Sequence, residues 1–197
     1  MTTPVTAPRI RRRRAADLDG CVAALAEVHR VDRYPLNWPA DPRRWLGEPR
    51  PDHAWVAVAD TVIVGHVAVQ RVVPGPAGAP TARPTAEVAR LFVAPSARGS
   101  ALGSALLDRV RRWANARGTD LVLEVTSDNA AAAALYERTG WRCTGSSTAP
   151  WTAPDGGAVS LRHYTLSCAA GPAITVSRRA SRAAASRNSG GSTTSTS

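Results

Sequence analysis

The sequence predicts a mixed α/β (α+β) domain on a sheet of six or seven strands with interspersed helices. Two observations carry this expectation. Residues 54–59 and 62–70 are valine-rich runs separated by Asp60-Thr61, the pattern of an antiparallel hairpin. Residues 87–126 then read as an apolar run, a glycine-containing turn, a long helical stretch and a second apolar run. That succession is a βαβ unit, which makes its two strands, 87–93 and 121–126, parallel neighbours.

The elements can be justified in order. Residues 10–14 form a first strand; four consecutive arginines put charge on both faces, which suits a sheet edge. Asp17 is placed to cap a helix reaching about Arg30, with Leu18, Val22, Leu25 and Val28 at helical spacing. Pro35 and Pro39 break the chain before a short helix over 41–46. The hairpin follows, with His66 in its second strand read as a core or surface histidine rather than a catalytic one. Residues 74–84 form a proline-rich loop unsuited to a sheet interior. The long helix spans 101–117, with Leu102, Leu106, Val110, Trp113 and Ala114 as its apolar stripe, and Gly118 ends it. A helix over 129–139 ends at Gly140, and the last strands are 141–145 and 159–166.

Residues 1–8 read as a loose leader, 9–166 as the domain, and 167–197 as a disordered tail of Ser, Ala, Arg, Gly and Thr. The chain of 197 residues carries a formal charge of +10. Its excess lies at the ends, in Arg9 with Arg11 to Arg14, and in Arg178, Arg179, Arg182 and Arg187. The body between them is almost neutral, which argues against a nucleic-acid partner. No apolar run approaches the length of a membrane helix, and no secretory signal is visible, so a cytoplasmic location with no membrane partner is expected. Cys21, Cys143 and Cys168 are far apart and form no CxxC pair; the four histidines show no metal-ligand spacing. No metal is expected.

The turn from Arg98 to Gly103 carries the chemistry. A helix N-terminus leaves backbone N–H groups unpaired and partly positive, and small residues let a phosphate approach them. The turn reads Arg98-x-x-Ala101-x-Gly103, and after it come Asn129, Ala132, Leu135, Tyr136 and the Gly140-Trp141 pair. In this order and spacing, residues 87–144 resemble the acetyl-CoA-binding core of the GNAT superfamily of N-acetyltransferases.

That resemblance implies a mostly antiparallel sheet with helices on both faces. Its central parallel pair splays after a bulge in the first strand, and the pantetheine arm enters the gap. It implies acetyl-CoA as co-substrate and a small-molecule or peptide amine as acceptor, and it allows a homodimer. The backbone of Phe92 and Val93 would pair with pantetheine. Gly99, Ser100, Ala101, Leu102, Gly103 and Ser104 would offer amides to the diphosphate beside Arg98. Asn129 and Ala132 would complete the cofactor site, with the Asn129 amide on the pantetheine arm. Tyr136 matches the family's general acid. Glu87 and Glu124 each occupy a position where family members carry a base glutamate. Tyr34, Trp38 and Trp45 would wall the acceptor site; packing of these rings on the sheet is the alternative. Members usually have glycine where this chain has Ala101. The helical pattern that follows directly places Ala101 in the first helical turn, where alanine costs nothing. Three functions stay open: an amine acetyltransferase, an acyl-CoA-binding or catalytically inactive regulatory module of the same fold, and a basic nucleic-acid-associating protein.

Overall fold

In the computed structural model the described residues are 8–48, 50–72 and 83–168. Nearly all of the proposed leader, most of the 74–84 loop and nearly all of the proposed tail lie outside them. Seven strands form one sheet: β1 (Arg9–Arg12), β2 (His53–Ala59), β3 (Val62–Arg71), β4 (Thr85–Val93), β5 (Asp120–Thr126), β6 (Arg142–Thr152) and β7 (Ala158–Leu166). Their order is β1-β2-β3-β4-β5-β7-β6. All neighbours are antiparallel except β4 and β5. The helices are α1 (Leu18–Asp32), α2 (Pro42–Gly47), α3 (Leu102–Asn115) and α4 (Ala130–Arg138).

β3 is buried at every position from Ile63 to Val69. Side chains alternate between faces along a strand, so an unbroken buried run needs cover on both sides. α3 supplies one cover, reaching Gly65 with Leu106; α1 also packs on β3. The core is continuous through Leu25, Leu46, Val56, Val67, Leu106, Val110, Leu121 and Tyr164.

The parallel pair is short. Thr85, Ala86 and Glu87 stand opposite Asp120, Leu121 and Val122, and pairing stops there. Along the β3 edge, His66 faces Phe92 and Ala68 faces Ala89, so Val67 opposes both Arg90 and Leu91. That extra residue is a bulge, and it bends the strand. Arg90 takes φ +56° within it. Beyond Glu87 the two strands part, as the family resemblance implied.

Three sequence expectations need correction. Asp17 does not cap α1 with its side chain. Its carboxylate instead accepts from the Arg14 backbone N–H and from both Nη atoms of Arg11 (2.7 and 2.8 Å), closing the turn that leads out of β1. The strand expected over 141–145 runs to Thr152 and includes Pro150. Proline is tolerated because β6 is the outer edge, and the register slips between Thr148 and Thr152 around it. Ala101 is the third and belongs to the site.

Candidate functional site

The parted ends of β4 and β5, the start of α3 and the start of α4 enclose one cavity of about 1340 Å³. That exceeds the usual space for one drug-sized ligand and is large enough for a cofactor arm and an acceptor together.

At one end lies the turn into α3. Gly99 has φ +80° and Ala101 φ +55°. Ala101 is therefore left-handed and stands just before the helix, not in its first turn as expected. The left-handed well penalises a Cβ by about 1–2 kcal/mol. No acceptor among the described residues takes the amides of Gly99 through Ser104. The Ser100 hydroxyl donates to the Ala97 carbonyl at 2.7 Å, bracing the turn. Arg98 reaches back to the end of α1, donating from Nη1 to Asp32 Oδ1 at 3.0 Å. Gly103 is where α3 passes α4: a Cβ there would stand 3.1 Å from Leu135 Cδ2. A larger residue would force the Leu135 side chain to give way.

On the opposite wall, Asn129 Oδ1 accepts from the Ala132 amide at 3.0 Å and caps α4. About two turns later Tyr136 sets its ring near Trp141 and Tyr164, with centroids at 6.0 and 5.5 Å. Tyr136 is 7% exposed, and burial pushes its phenol well above the ordinary value, with a further push from Tyr34 and Tyr164. No hydrogen bond among the described residues occupies its hydroxyl.

Glu87 sits at the last paired position before the strands part, half-buried. Its Oε2 accepts from Gln70 Nε2 at 2.8 Å, and the Gln70 Oε1 is buried with no partner among the described residues. Glu124 stands on β5, more than half exposed, with Oε1 3.2 Å from His163 Nδ1. Both glutamates line the cavity.

Tyr34 and Trp45 line it too, edge to face at 6.3 Å. Burial pushes the Tyr34 phenol up to about 12, against a small opposing pull from Arg90. Trp38 does not belong here. It is 40% exposed and tilted on His29 at 5.0 Å, outside the cavity. Spacing could not separate Trp38 from Trp45, because what each ring meets, His29 for Trp38 and Tyr34 for Trp45, is set by the fold of the segment rather than by chain distance. Of the residues expected to hold a cofactor, all but Ser100 line the cavity.

The model of the acetyltransferase (GNAT) family matches residues 18–141. This chain belongs to that family.

The acetyltransferase has no match among curated proteins. Solved structures share its fold at low identity. The ribosomal-protein-S18-alanine N-acetyltransferase from Escherichia coli superposes with a TM-score of 0.65 at 20% identity, covering 85% of this chain and 98% of that one. Arabidopsis thaliana NAA60 in complex with acetyl-CoA gives 0.62 at 17% identity, covering 81% and 97%. An N-acetyltransferase from Staphylococcus aureus Mu50 gives 0.64 at 20% identity, covering 82% and 99%.

Other residues of this GNAT cavity are not singled out by sequence reasoning. Gln70, Arg90, Leu36, Asn37 and Trp151 all line it. Gln70 and Arg90 carry a signal, being polar residues within strands that are otherwise largely apolar. The segment after α1 also bridges to the last hairpin: Asn37 Nδ2 donates to the Thr152 carbonyl at 2.8 Å, and Leu36 packs on Val159 and Leu161. Among the described residues no group of His, Cys, Asp or Glu could hold a metal, and no helix is long and apolar enough to cross a membrane. The three cysteines are free; burial pushes the Cys21 thiol up to about 12.

Proposed function

We propose that this chain transfers an acetyl group from acetyl-CoA to a primary amine by direct attack. One observation carries the reading. The unbonded amides of Gly99 and of Ala101 to Ser104, the bare inner edge of β4 and the Tyr136 phenol all border the same cavity.

The donors at the start of α3 suit a diphosphate, since they combine free N–H groups with the positive end of the helix dipole. Beyond Glu87, the side of β4 facing β5 has no strand partner. Its main chain at Phe92 and Val93 is free to take the amides of a pantetheine arm as an added strand would. An N–H on that edge would also polarise a thioester oxygen. This arrangement would direct the sulfur end toward Tyr136.

Three proton and electron movements complete the transfer. The amine must be neutral to offer a lone pair, yet with a pKa of ~10.4 it is almost wholly protonated at neutral pH. Glu87, through a water, accepts the proton that the amine loses. The nitrogen then forms a bond to the carbonyl carbon, and the carbon–sulfur bond breaks. Tyr136 gives its proton to the departing thiolate. Its raised phenol pKa keeps the group protonated throughout the working range, while making it a weaker donor than an ordinary phenol. We assign the base to Glu87 over Glu124 because Gln70 orients it and it is half-buried, whereas Glu124 is exposed and paired with His163.

The experiment is a calorimetric titration with acetyl-CoA followed by thiol release over a panel of small and peptidyl amines. Saturable binding with amine-dependent thiol release supports the transferase. Binding without release for any amine would leave a cofactor-binding module. Heat that is not saturable and vanishes with salt would point to nonspecific electrostatics.

A further inference from the structure

The acceptor end of the cavity holds a cation that forms no salt bridge among the described residues. Arg90 is half-buried on the β4 bulge, and its charge is disfavoured there chiefly by burial. Its Nη2 donates to the Glu48 carbonyl at 2.7 Å, and its guanidinium lies 5.0 Å from the centroid of Trp45. Its Nε is buried with no partner among the described residues. None of their carboxylates forms an ion pair with it. The other arginines of the cavity differ: Arg98 is paired with Asp32, while Arg33 and Arg138 are exposed.

A guanidinium partly withdrawn from water without a hydrogen-bonded counter-charge is unfavourable. Its planar fork is matched to a carboxylate, which it can grip with two parallel hydrogen bonds. Around it stand Tyr34 and Trp45, with Glu87 near enough to favour its charge. An apolar wall, a cation and a carboxylate base thus share one corner.

From this arrangement we infer that the acceptor carries a carboxylate close to its amine, and that Arg90 binds it. The chemical class is a small α-amino acid with an apolar side chain. Its carboxylate meets the Arg90 fork, its side chain rests on Tyr34 and Trp45, and its amine faces Glu87. Arg90 is then a specificity residue. The inference rests on the transferase reading for the meaning of the acceptor, but its binding test does not.

The test uses matched pairs that differ only by the carboxyl group: leucine against isoamylamine, and phenylalanine against phenethylamine. Each is titrated into the full chain saturated with coenzyme A, and each is assayed for thiol release with acetyl-CoA. A charge-assisted pair predicts that the amino acid binds about ten- to hundredfold more tightly than its partner. Arg90→Gln should bring that ratio to within about threefold, with acetyl-CoA affinity held. Arg90→Gly guards against misfolding, since glycine accepts φ +56° without strain; it should collapse the ratio in the same way. Equal binding within each pair, or a preference that survives both variants, would overturn the inference. So would a peptide with an acidic second residue that outcompetes the free amino acid. If the amino acids bind through Arg90 but no amine releases thiol, the transferase reading fails and this one stands. If the carboxyl-free amines are acetylated as efficiently as the amino acids, this inference fails and the transferase reading stands.

Discussion

His66 Nδ1 lies 2.9 Å from the Arg90 carbonyl and ties the middle of β3 to the bulge that parts β4 from β5. Its Nε2 lies 3.0 Å from Arg13 Nη1. Arginine can only donate, so Nε2 accepts and the proton sits on Nδ1, where it is donated to the carbonyl. The ring is fully buried and stacked on Phe92 at 5.3 Å, so it is neutral and pushed down to about 3, chiefly by burial. Because its folded pKa lies below the unfolded value, the unfolded chain binds the extra proton. Stability should fall as pH drops from about 6.5 toward about 3, by about 1.4 kcal/mol per unit inside that window. His53, lowered mainly by burial, acts in the same direction. Asp17, held low first by its hydrogen bond with Arg11, contributes only below about 4. Urea unfolding of His66→Gln beside the parent, from pH 7 to pH 4, isolates the His66 share. The parent should lose stability more steeply, and parallel curves would show that His66 is not buried neutral.

Ala101 sits at φ +55°, where a Cβ is penalised. Ala101→Gly should relieve about 1 kcal/mol in the folded chain. Glycine also loosens the unfolded chain by about 0.4–1 kcal/mol, so the net change is a stabilisation between zero and about 0.6 kcal/mol. Ala101→Val should destabilise by about 1–2 kcal/mol, since a branched side chain fits the left-handed well worse than alanine. Thermal unfolding checks both. A stabilising valine would mean that Ala101 is helical after all.

Ala101 also shows what a sequence can and cannot disclose. The hairpin is legible as two unbroken apolar runs around Asp60-Thr61, and the long helix because burial writes a period-3.6 pattern over 101–117. Asn129 and Tyr136 are legible together because they lie on one helix, which fixes their relation. Backbone dihedrals leave no such trace: alanine before a helical pattern looks helical whether or not it is. The roles of Asp17 and Trp38 are hidden for a related reason. Sequence reasoning assigns each to its neighbours in the chain, and each finds its partners elsewhere, Asp17 on Arg11 and Trp38 on His29. The parting of β4 and β5 depends on an extra residue opposite Val67, which only register reveals.

Tyr136→Phe removes one oxygen and leaves the ring between Trp141 and Tyr164. Loss of a general acid should lower turnover by about 100-fold. Acetyl-CoA affinity should stay within about twofold, since the amides of 99–104 are untouched. The parent should show no loss of activity from Tyr136 ionisation below pH 10, because burial lifts that phenol above its ordinary 10.0. Steady-state kinetics with calorimetry separate the two effects. A large loss of affinity with turnover unchanged would make Tyr136 a binding contact.

Glu87 and Glu124 border the same cavity but stand in different surroundings, and their amide variants decide which is the base. Glu87→Gln keeps the shape and a hydrogen-bonding partner for Gln70 while removing the proton acceptor. Turnover should fall by about 100-fold near neutral pH. The deficit should narrow as pH approaches the amine's own pKa of ~10.4, where the acceptor arrives already neutral. Glu124→Gln should change turnover by less than about threefold, because that carboxylate is solvated and held by His163. A pH–rate profile of both variants, run with one amine, reads this directly. If the pH-dependent deficit appears with Glu124→Gln and not with Glu87→Gln, the base lies on β5, and the water that carries the proton must bridge from that side of the gap.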